Sequence, residues 1–177
     1  MLSVPKATEG LTLEEVKSQI YSRNNPTLTP IDIEMHASTV HRILELKKKH
    51  NIFMLGHNYM EPLVFGLSTE KEQGDSLALS MKAVQTDSDI IIFNGVRFMA
   101  ETAKVLNPEK TILIADKSSG CSLADDFGAE QVRELKKQNP GVPVMIYINS
   151  YAEAKAECDV CCTSANAEKI AMEMPGD

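Results

Sequence analysis

Short apolar runs alternate with longer amphipathic segments along most of the chain. The apolar runs have the length and composition of strands buried on both faces: Ile52 to Leu55, Ile90 to Phe93, Thr111 to Ile114, Val144 to Ile148 and Asp159 to Cys162. Helical spacing predominates between them: Asp75 to Val84, Val96 to Leu106, Gly128 to Gln138, Ser150 to Ala156 and Ser164 to Met172. This alternation predicts an α/β fold with three layers (α/β/α), in which helices cover both faces of a parallel sheet.

The first fifty residues have a helical pattern instead. Thr12 to Glu15 has the form of a capping box and begins a peripheral helix, which Asn24 to Pro26 ends. A second helix follows Pro30, and Lys47 to Lys49 near its C-terminal end are interpreted as solvated charges. Its predicted inward positions are Met35, Val40, Ile43, Leu44 and Leu46.

Length and composition place this pattern in a chain that folds around a core. With 177 residues, of which 43% are hydrophobic, the chain is long enough for one domain or one and a half. We predict an N-terminal helical extension over 1–29, a first α/β domain over 30–125 and an incomplete second α/β domain over 126–177. Because the chain stops soon after a predicted helix begins, we expect a truncated polypeptide.

The charge of the chain argues against some classes of partner. A formal net charge of −7 disfavours nucleic acid and anionic membranes. No run reaches the roughly 18 apolar residues of a membrane span, and no secretory signal opens the sequence, so we expect a cytoplasmic protein. In that compartment the four cysteines are expected to be buried, metal-bound or catalytic rather than paired in disulfides.

Polar residues follow the predicted strands, where ligands bind in parallel sheets. His57 and Tyr59 come after the first strand, and either one can act as an acid or base, although a structural histidine is equally compatible with the pattern. Gly74 to Ser76 begins a helix whose amides suit a carboxylate or phosphate. A plain N-cap by Asp75 or Ser76 explains the same residues.

Similar choices arise at the later strands. Tyr147 and Asn149 lie on one face of a strand end and can both donate hydrogen bonds to one ligand, or Asn149 simply caps the strand. Ser164 repeats the helix-start pattern. Cys121 lies in a small polar loop after the third strand, and a lone cysteine does not identify itself as a ligand. These residues alone predict a soluble α/β protein with a polar, anion-binding edge.

Two further cysteines have a spacing found in metal and redox sites. Cys158 and Cys161 form a C-x-x-C pattern, as in zinc ribbons and thioredoxin-like proteins. The second cysteine pair of a zinc ribbon is missing, however, and the pattern falls in a predicted buried strand. We therefore favour structural, buried thiols here.

Taken in order, several segments together resemble the quinolinate synthase family (quinolinate synthetase A). The resemblance extends from about His50 to Ile170 and rests on these segments: His57 to Tyr59, Gly74 to Leu77, Gly95 to Lys104, Asn107 to Lys110, Gly120 to Ala124, Tyr147 to Asn149, Lys155-Ala156 and Cys162 to Ser164. Their order and spacing, rather than any single segment, make the match specific.

The resemblance implies an architecture and a cofactor. In the family, three pseudo-repeated α/β/α domains each give one cysteine to a 4Fe-4S cluster, whose open iron acts as a Lewis acid. Cys121 matches the first of these three ligands and is the only one present in this chain. The resemblance thus implies the first domain and an incomplete second.

The resemblance also implies a reaction and roles for individual residues. The family condenses iminoaspartate with dihydroxyacetone phosphate to give quinolinate in de novo NAD biosynthesis, and L-aspartate oxidase or aspartate dehydrogenase supplies the first substrate. Tyr59 would transfer protons and His57 would position substrate. The matching substrate-binding residues are His57, Ser76, Tyr147, Asn149 and Ser164.

The sequence departs from the family pattern in three places. Cys158 and Cys161 replace residues that are not usually cysteine in the family, which weakens a metal-binding interpretation of the C-x-x-C pattern. Glu61 to Gln73 is unlike the family and slightly long, which leaves the geometry between Tyr59 and Ser76 open. The chain also ends before the other two ligand cysteines, so we expect the polypeptide to be inactive alone. The alternative hypotheses are a non-catalytic anion-binding module derived from the family, and a zinc or redox protein that uses Cys158, Cys161 and Cys162.

Overall fold

The computed structural model of the chain describes residues 11–22 and 29–175. These residues form two compact units. The first contains the described residues up to Gly95 together with Ala103–Ala115, and the second contains Val96–Thr102 and the described residues from Asp116 onward. The domain boundaries proposed from the sequence stay predictions.

Two helices open the first unit, and both begin with a capping box. α1 (Leu13–Ser22) is preceded by Thr12, whose backbone N–H donates to the Glu15 carboxylate at 2.7 Å. α2 (Pro30–Lys49) is capped by Thr29, whose hydroxyl accepts from the Asp32 N–H. The two helices pack through one apolar cluster: Val16, Ile33, Ala37 and Leu44.

The inward face of α2 differs partly from the prediction. Leu44 is buried as predicted, but Met35 is largely exposed, and Ile33 and Ala37 take the core positions. Lys47, interpreted from the sequence as a solvated charge, is fully buried. A run of three lysines looks uniform in sequence, and only the helix phase places the first of them against the core.

The first unit is built on a parallel sheet of four strands in the order β2-β1-β3-β4. The strands are β1 (Ile52–His57), β2 (Gln73–Gly74), β3 (Ile90–Asn94) and β4 (Thr111–Ile114). In this register Gly56 lies opposite Asn94 and His57 opposite Gly74, so these residues share the carboxyl edge. The accompanying elements are α3 (Pro62–Phe65), a 3-10 helix (Glu70–Glu72), α4 (Ser76–Gln85) and the end of α5 (Arg97–Leu106).

The second unit has a smaller parallel sheet of two strands, β5 (Met145–Tyr147) and β6 (Val160–Cys162). Besides the start of α5, its helices are α6 (Ser122–Asp125), α7 (Ala129–Gln138), α8 (Ala152–Ala156) and α9 (Ala167–Glu173). Its core consists of Val132, Ile146 and Ala154, with the thiols of Cys158 and Cys161 packed against it.

The predicted fold class is confirmed, since a parallel sheet is flanked by helices, and each predicted strand is present within two residues of its predicted ends. The strands fall into two sheets rather than one. β4 is not buried on both faces as expected, because Thr111 and Leu113 are exposed at the sheet edge. Of the described helices, none is long and apolar enough to cross a membrane.

Candidate active site

The carboxyl end of β1 brings three of the candidate residues together. His57 ends the strand, and its Nε2 lies 3.2 Å from the Ser76 hydroxyl. The ring of Tyr59 lies against the His57 ring, with 3.8 Å between their centroids. Parallel pairing of His57 with Gly74 causes this convergence, because it aligns the end of β1 with the start of α4. The structure therefore groups an imidazole, a phenol and a hydroxyl.

The surroundings of His57 determine its charge and which ring nitrogen carries the proton. Burial lowers the pKa of this imidazole below its ordinary value of 6.5, although the nearby Asp75 carboxylate opposes the shift. The backbone N–H of Tyr59 donates to Nδ1 at 3.4 Å, so the proton of the neutral ring belongs on Nε2. At neutral pH His57 is an uncharged donor whose N–H points at Ser76.

Tyr59 is the accessible member of the group. Its side chain is 59% exposed, whereas His57 beneath it is buried. A phenol in this position can reach a ligand at the sheet edge while its ring remains packed on the imidazole. This arrangement suits a group that exchanges a proton with a bound molecule.

At the start of α4, the residue that caps the helix and the residue that contacts His57 are different. The Asp75 carboxylate accepts from the Ala78 N–H at 2.8 Å and is therefore the N-cap. Ser76, the first residue of the helix, directs its hydroxyl to His57 instead. The N-cap explanation is therefore confirmed for Asp75, and anion binding at this helix start stays a prediction.

A buried carboxylate fixes the segment that the sequence left open. Glu72 accepts from Lys47 Nζ at 2.5 Å, from the Met54 N–H at 2.9 Å and from the Thr69 N–H at 2.6 Å. These bonds tie the end of the Glu61 to Gln73 stretch to α2 and to β1. Since β2 follows Glu72 directly, the anchor determines where Ser76 lies.

Two other residues at this edge were not among the candidates identified from the sequence. Gly56 is needed for close packing rather than for backbone freedom, because a Cβ there would meet the Ser68 hydroxyl at 2.7 Å. Asn94 is buried opposite Gly56, and its Nδ2 donates to no other described residue. Its position as the last residue of an apolar strand was the signal available for it.

The second unit carries the remaining substrate-binding candidates. Tyr147 pairs with Cys162, so Asn149 and Ser164 each follow a strand at the same edge of the small sheet. Tyr147 and Ser164 are exposed, and Asn149 is half-buried. The predicted helix start at Ser164 is wrong, because α9 begins at Ala167. The Asn166 side chain accepts from the Thr163 N–H and holds Ser164 in a turn before the helix.

Cys121 lies immediately before the single turn of α6. Its thiol is free and half-buried, and it makes no hydrogen bond to cap the helix. The carbonyl of Cys121 accepts from the N–H groups of Ala124 and Asp125, which orders the loop around it. A sulfur that is neither capping nor disulfide-bonded fits one thiolate ligand position.

Ligands for a complete metal centre are not grouped in the part of the chain that the structure describes. Over residues 11–22 and 29–175, no three His, Cys, Asp or Glu side chains are arranged to hold a metal ion.

The C-x-x-C cysteines have a packing role. Burial raises the pKa of both the Cys158 and Cys161 thiols. The Cys158 thiol donates to the Ala154 carbonyl at 3.2 Å, and both side chains lie against Val132 and Ile146. This environment favours neutral, structural thiols, as the sequence analysis did.

The chain matches the quinolinate synthetase A protein family over residues 41–177. It belongs to this family. The match includes all the candidate residues of both units, from His57 to Ser164, and confirms the resemblance recognised in the sequence.

Curated quinolinate synthases are similar over most of the chain. Quinolinate synthase 2 of Mesorhizobium japonicum is 47% identical over 159 residues, which cover 90% of this chain and 49% of the relative. Quinolinate synthase of Agrobacterium fabrum is 52% identical over 131 residues, covering 74% and 38%. That of Caulobacter vibrioides is 42% identical over 171 residues, covering 95% and 46%. The chain spans about half the length of the curated relatives that it matches.

Proposed function

We propose that the chain contributes to quinolinate synthase, a transferase of NAD biosynthesis that condenses iminoaspartate with dihydroxyacetone phosphate. The observation that supports this best is the contact between His57 and Ser76, with Tyr59 stacked above it, at the carboxyl edge of a sheet. A proton-exchanging phenol beside two neutral donors suits the condensation of carbonyl and imine groups.

The candidate residues of the first unit would have different roles in binding and proton transfer. Ser76 and the N–H groups at the start of the ten-residue helix α4 would hold an anionic group of the substrate. His57, neutral because it is buried, would turn its Nε2–H from the Ser76 hydroxyl to a substrate oxygen when substrate binds. Tyr59 would transfer the proton, since its ring is both packed and accessible.

The second unit would supply further donors. Tyr147 and Asn149, at the end of β5, would bind carboxylate or carbonyl oxygens, and Ser164 would bind phosphate or carboxylate from its turn. We propose that the two compact units correspond to the first domain and an incomplete second domain of the family.

Cys121 would be one of three cysteine ligands of a 4Fe-4S cluster. When bound, such a cluster supplies a Lewis-acidic iron. The free thiol of Cys121 fits this role, and the other two ligands would come from residues outside this chain. We therefore expect the chain to be inactive alone.

The proposal includes a cellular context. The protein would act in the cytoplasm and would receive iminoaspartate from L-aspartate oxidase or aspartate dehydrogenase. It would act on small molecules, and the net charge of −7 disfavours binding to nucleic acid or anionic membranes.

The ligand role is tested in a protein that joins this chain to the rest of the family's length. We expect Cys121→Ser to abolish cluster absorbance, bound iron and quinolinate formation, while circular dichroism is unchanged. Cys158→Ser is the matched control and should keep all three. Full iron content in Cys121→Ser would show that the ligand assignment is wrong.

Tyr59→Phe tests the catalytic group in the same protein. We expect turnover to fall about a hundredfold with little change in KM, because the substitution removes a proton and almost no shape. Steady-state kinetics of quinolinate formation measure both quantities. A change in KM alone would assign Tyr59 to binding instead.

A further inference from the structure

Tyr151 is a buried tyrosine to which the proposed reaction assigns no role. It lies just before α8 and is 7% exposed. The guanidinium of Arg97 lies 3.7 Å above the centre of its ring, a cation–π contact. Its hydroxyl donates to the Asp125 carboxylate at 2.6 Å, and this bond raises the pKa of Tyr151 above 10.0. The phenol therefore stays protonated at neutral pH, and its hydroxyl donates to Asp125.

The partner of this hydroxyl belongs to the loop that carries Cys121. Asp125 ends α6, and its backbone N–H donates to the Cys121 carbonyl at 2.9 Å. The bond from Tyr151 consequently fixes the far end of the single turn that begins after Cys121. On the other side of the thiol, the backbone N–H of Arg97 donates to the Ser119 carbonyl at 2.8 Å. The loop is thus held before and after Cys121.

Gly120 shows how closely the pair of side chains approaches the thiol-bearing residue. A Cβ at Gly120 would lie 3.3 Å from the Asp125 carboxylate and 3.5 Å from the Tyr151 hydroxyl. Tyr151 and Asp125 therefore pack directly against the residue that precedes Cys121.

Tyr151 is itself held in place from α5. The Glu101 carboxylate accepts from Arg97 Nε at 3.0 Å and from the Ala152 N–H at 2.8 Å. Lys155 Nζ also donates to the Thr102 hydroxyl at 2.8 Å. These bonds join α8 to the first residues of α5, so the Tyr151 ring and the Arg97 side chain form one fixed support.

We propose that Tyr151 is a positioning residue for Cys121, acting through its hydrogen bond to Asp125. The hydroxyl holds the loop from Ser119 to Asp125 so that the thiol is presented in one place. The inference rests on the proposed ligand role of Cys121 and adds to it the group that orients the ligand.

The first test measures the thiol itself, in the metal-free chain. Tyr151→Phe removes one hydroxyl and keeps the ring under Arg97. The rate of alkylation by iodoacetamide is followed for each cysteine by peptide mass spectrometry. We expect the Cys121 rate to rise about fivefold, as the loss of one hydrogen bond predicts, while the rates of Cys158 and Cys161 do not change. An unchanged Cys121 rate, or a parallel rise at all three thiols, overturns the proposal.

Neighbouring aspartates supply a matched control. Asp125→Ala should raise the Cys121 rate as Tyr151→Phe does, and the double variant should react no faster than either single variant, since both remove the same bond. Asp126→Ala, at the exposed next position, should leave the rate unchanged. Additive effects, or an equal effect of Asp126→Ala, would contradict a role through the Tyr151–Asp125 bond.

A cluster-loaded protein that includes this chain separates the two hypotheses. Tyr151→Phe should release iron to a chelator about fivefold faster than the unchanged protein, by the same lost hydrogen bond. If Cys121→Ser removes the iron but Tyr151→Phe leaves both the release and alkylation rates unchanged, the positioning role is wrong and the ligand assignment stands. If Cys121→Ser retains the iron, the ligand assignment fails whatever Tyr151→Phe does.

Discussion

The two units anchor their candidate residues with different kinds of ion pair. In the first unit, the side chains of Lys47 and Glu72 are 2% and 5% exposed. In the second, those of Arg97 and Glu101 are 41% and 27% exposed. Water screens the second pair but not the first, so breaking the first leaves a buried charge without its counter-ion. The comparison shows that similar charges form a buried pair in one unit and a solvent-screened, energetically weaker pair in the other.

Each of the two ion pairs supports a different set of candidate residues. Glu72 directly precedes β2 and thereby sets the contact between His57 and Ser76. Arg97 and Glu101 support Tyr151, which contacts the Cys121 loop through Asp125. A buried ion pair thus supports the contact between His57 and Ser76, whereas the loop of Cys121, the proposed metal ligand, depends on several partly exposed bonds.

The largest effect should come from breaking the buried pair. Lys47→Met leaves the Glu72 carboxylate buried without its cation, and we expect unfolding free energy to fall by about 3–5 kcal/mol. Urea denaturation followed by circular dichroism measures the change. Lys48→Met, at the exposed next position, is the control and should change stability little. A loss of under about 1 kcal/mol in Lys47→Met would remove the distinction between the two anchors.

A smaller, pH-dependent effect should come from His57. Because its folded pKa is lowered, the unfolded chain binds the proton first, and stability falls as pH drops below 6.5 toward the folded pKa. Above 6.5 this contribution is fully present. Urea denaturation between pH 8 and 5 should show the decline, and His57→Gln should make it shallower. Equal pH slopes in the two proteins would mean that His57 is not buried as a neutral ring.

The smallest effect should come from an exposed pair in the second unit. Arg133 lies 2.9 Å from Glu157, but both side chains are solvent-accessible. We expect Arg133→Gln to lower the unfolding free energy by no more than about 1 kcal/mol, because solvent screens the pair. The same urea experiment measures it. A loss as large as that of Lys47→Met would show that exposure does not separate the two kinds of pair.

The sequence predicted those parts of the fold that have a repeating signal. All five predicted apolar runs became strands, and the capping box predicted at Thr12 marks a helix start. The short elements α3, β2 and α6 were not predicted, because β2 and α6 contain no apolar run and the apolar residues of α3 are too few to show a helical period.

The sequence could not predict which charged side chains are buried. Lys47 and Glu72 are 25 residues apart, and only the folded sheet shows that they meet. The same applies to Tyr151 and Asp125, which are 26 residues apart. By contrast, His57, Tyr59 and Ser76 were found because residues at the carboxyl ends of parallel strands converge. The sequence shows where a residue lies along a predicted strand, but it does not show which distant side chain that residue contacts.

The burial of Lys47 also affects how these positions can evolve. Lys48 and Lys49 extend into solvent and are free to become other polar residues. Lys47 has no such freedom, because its replacement by an uncharged residue leaves the Glu72 charge unpaired in the core. We expect positions 47 and 72 to change together during descent, so that three neighbouring, chemically identical residues diverge at very different rates.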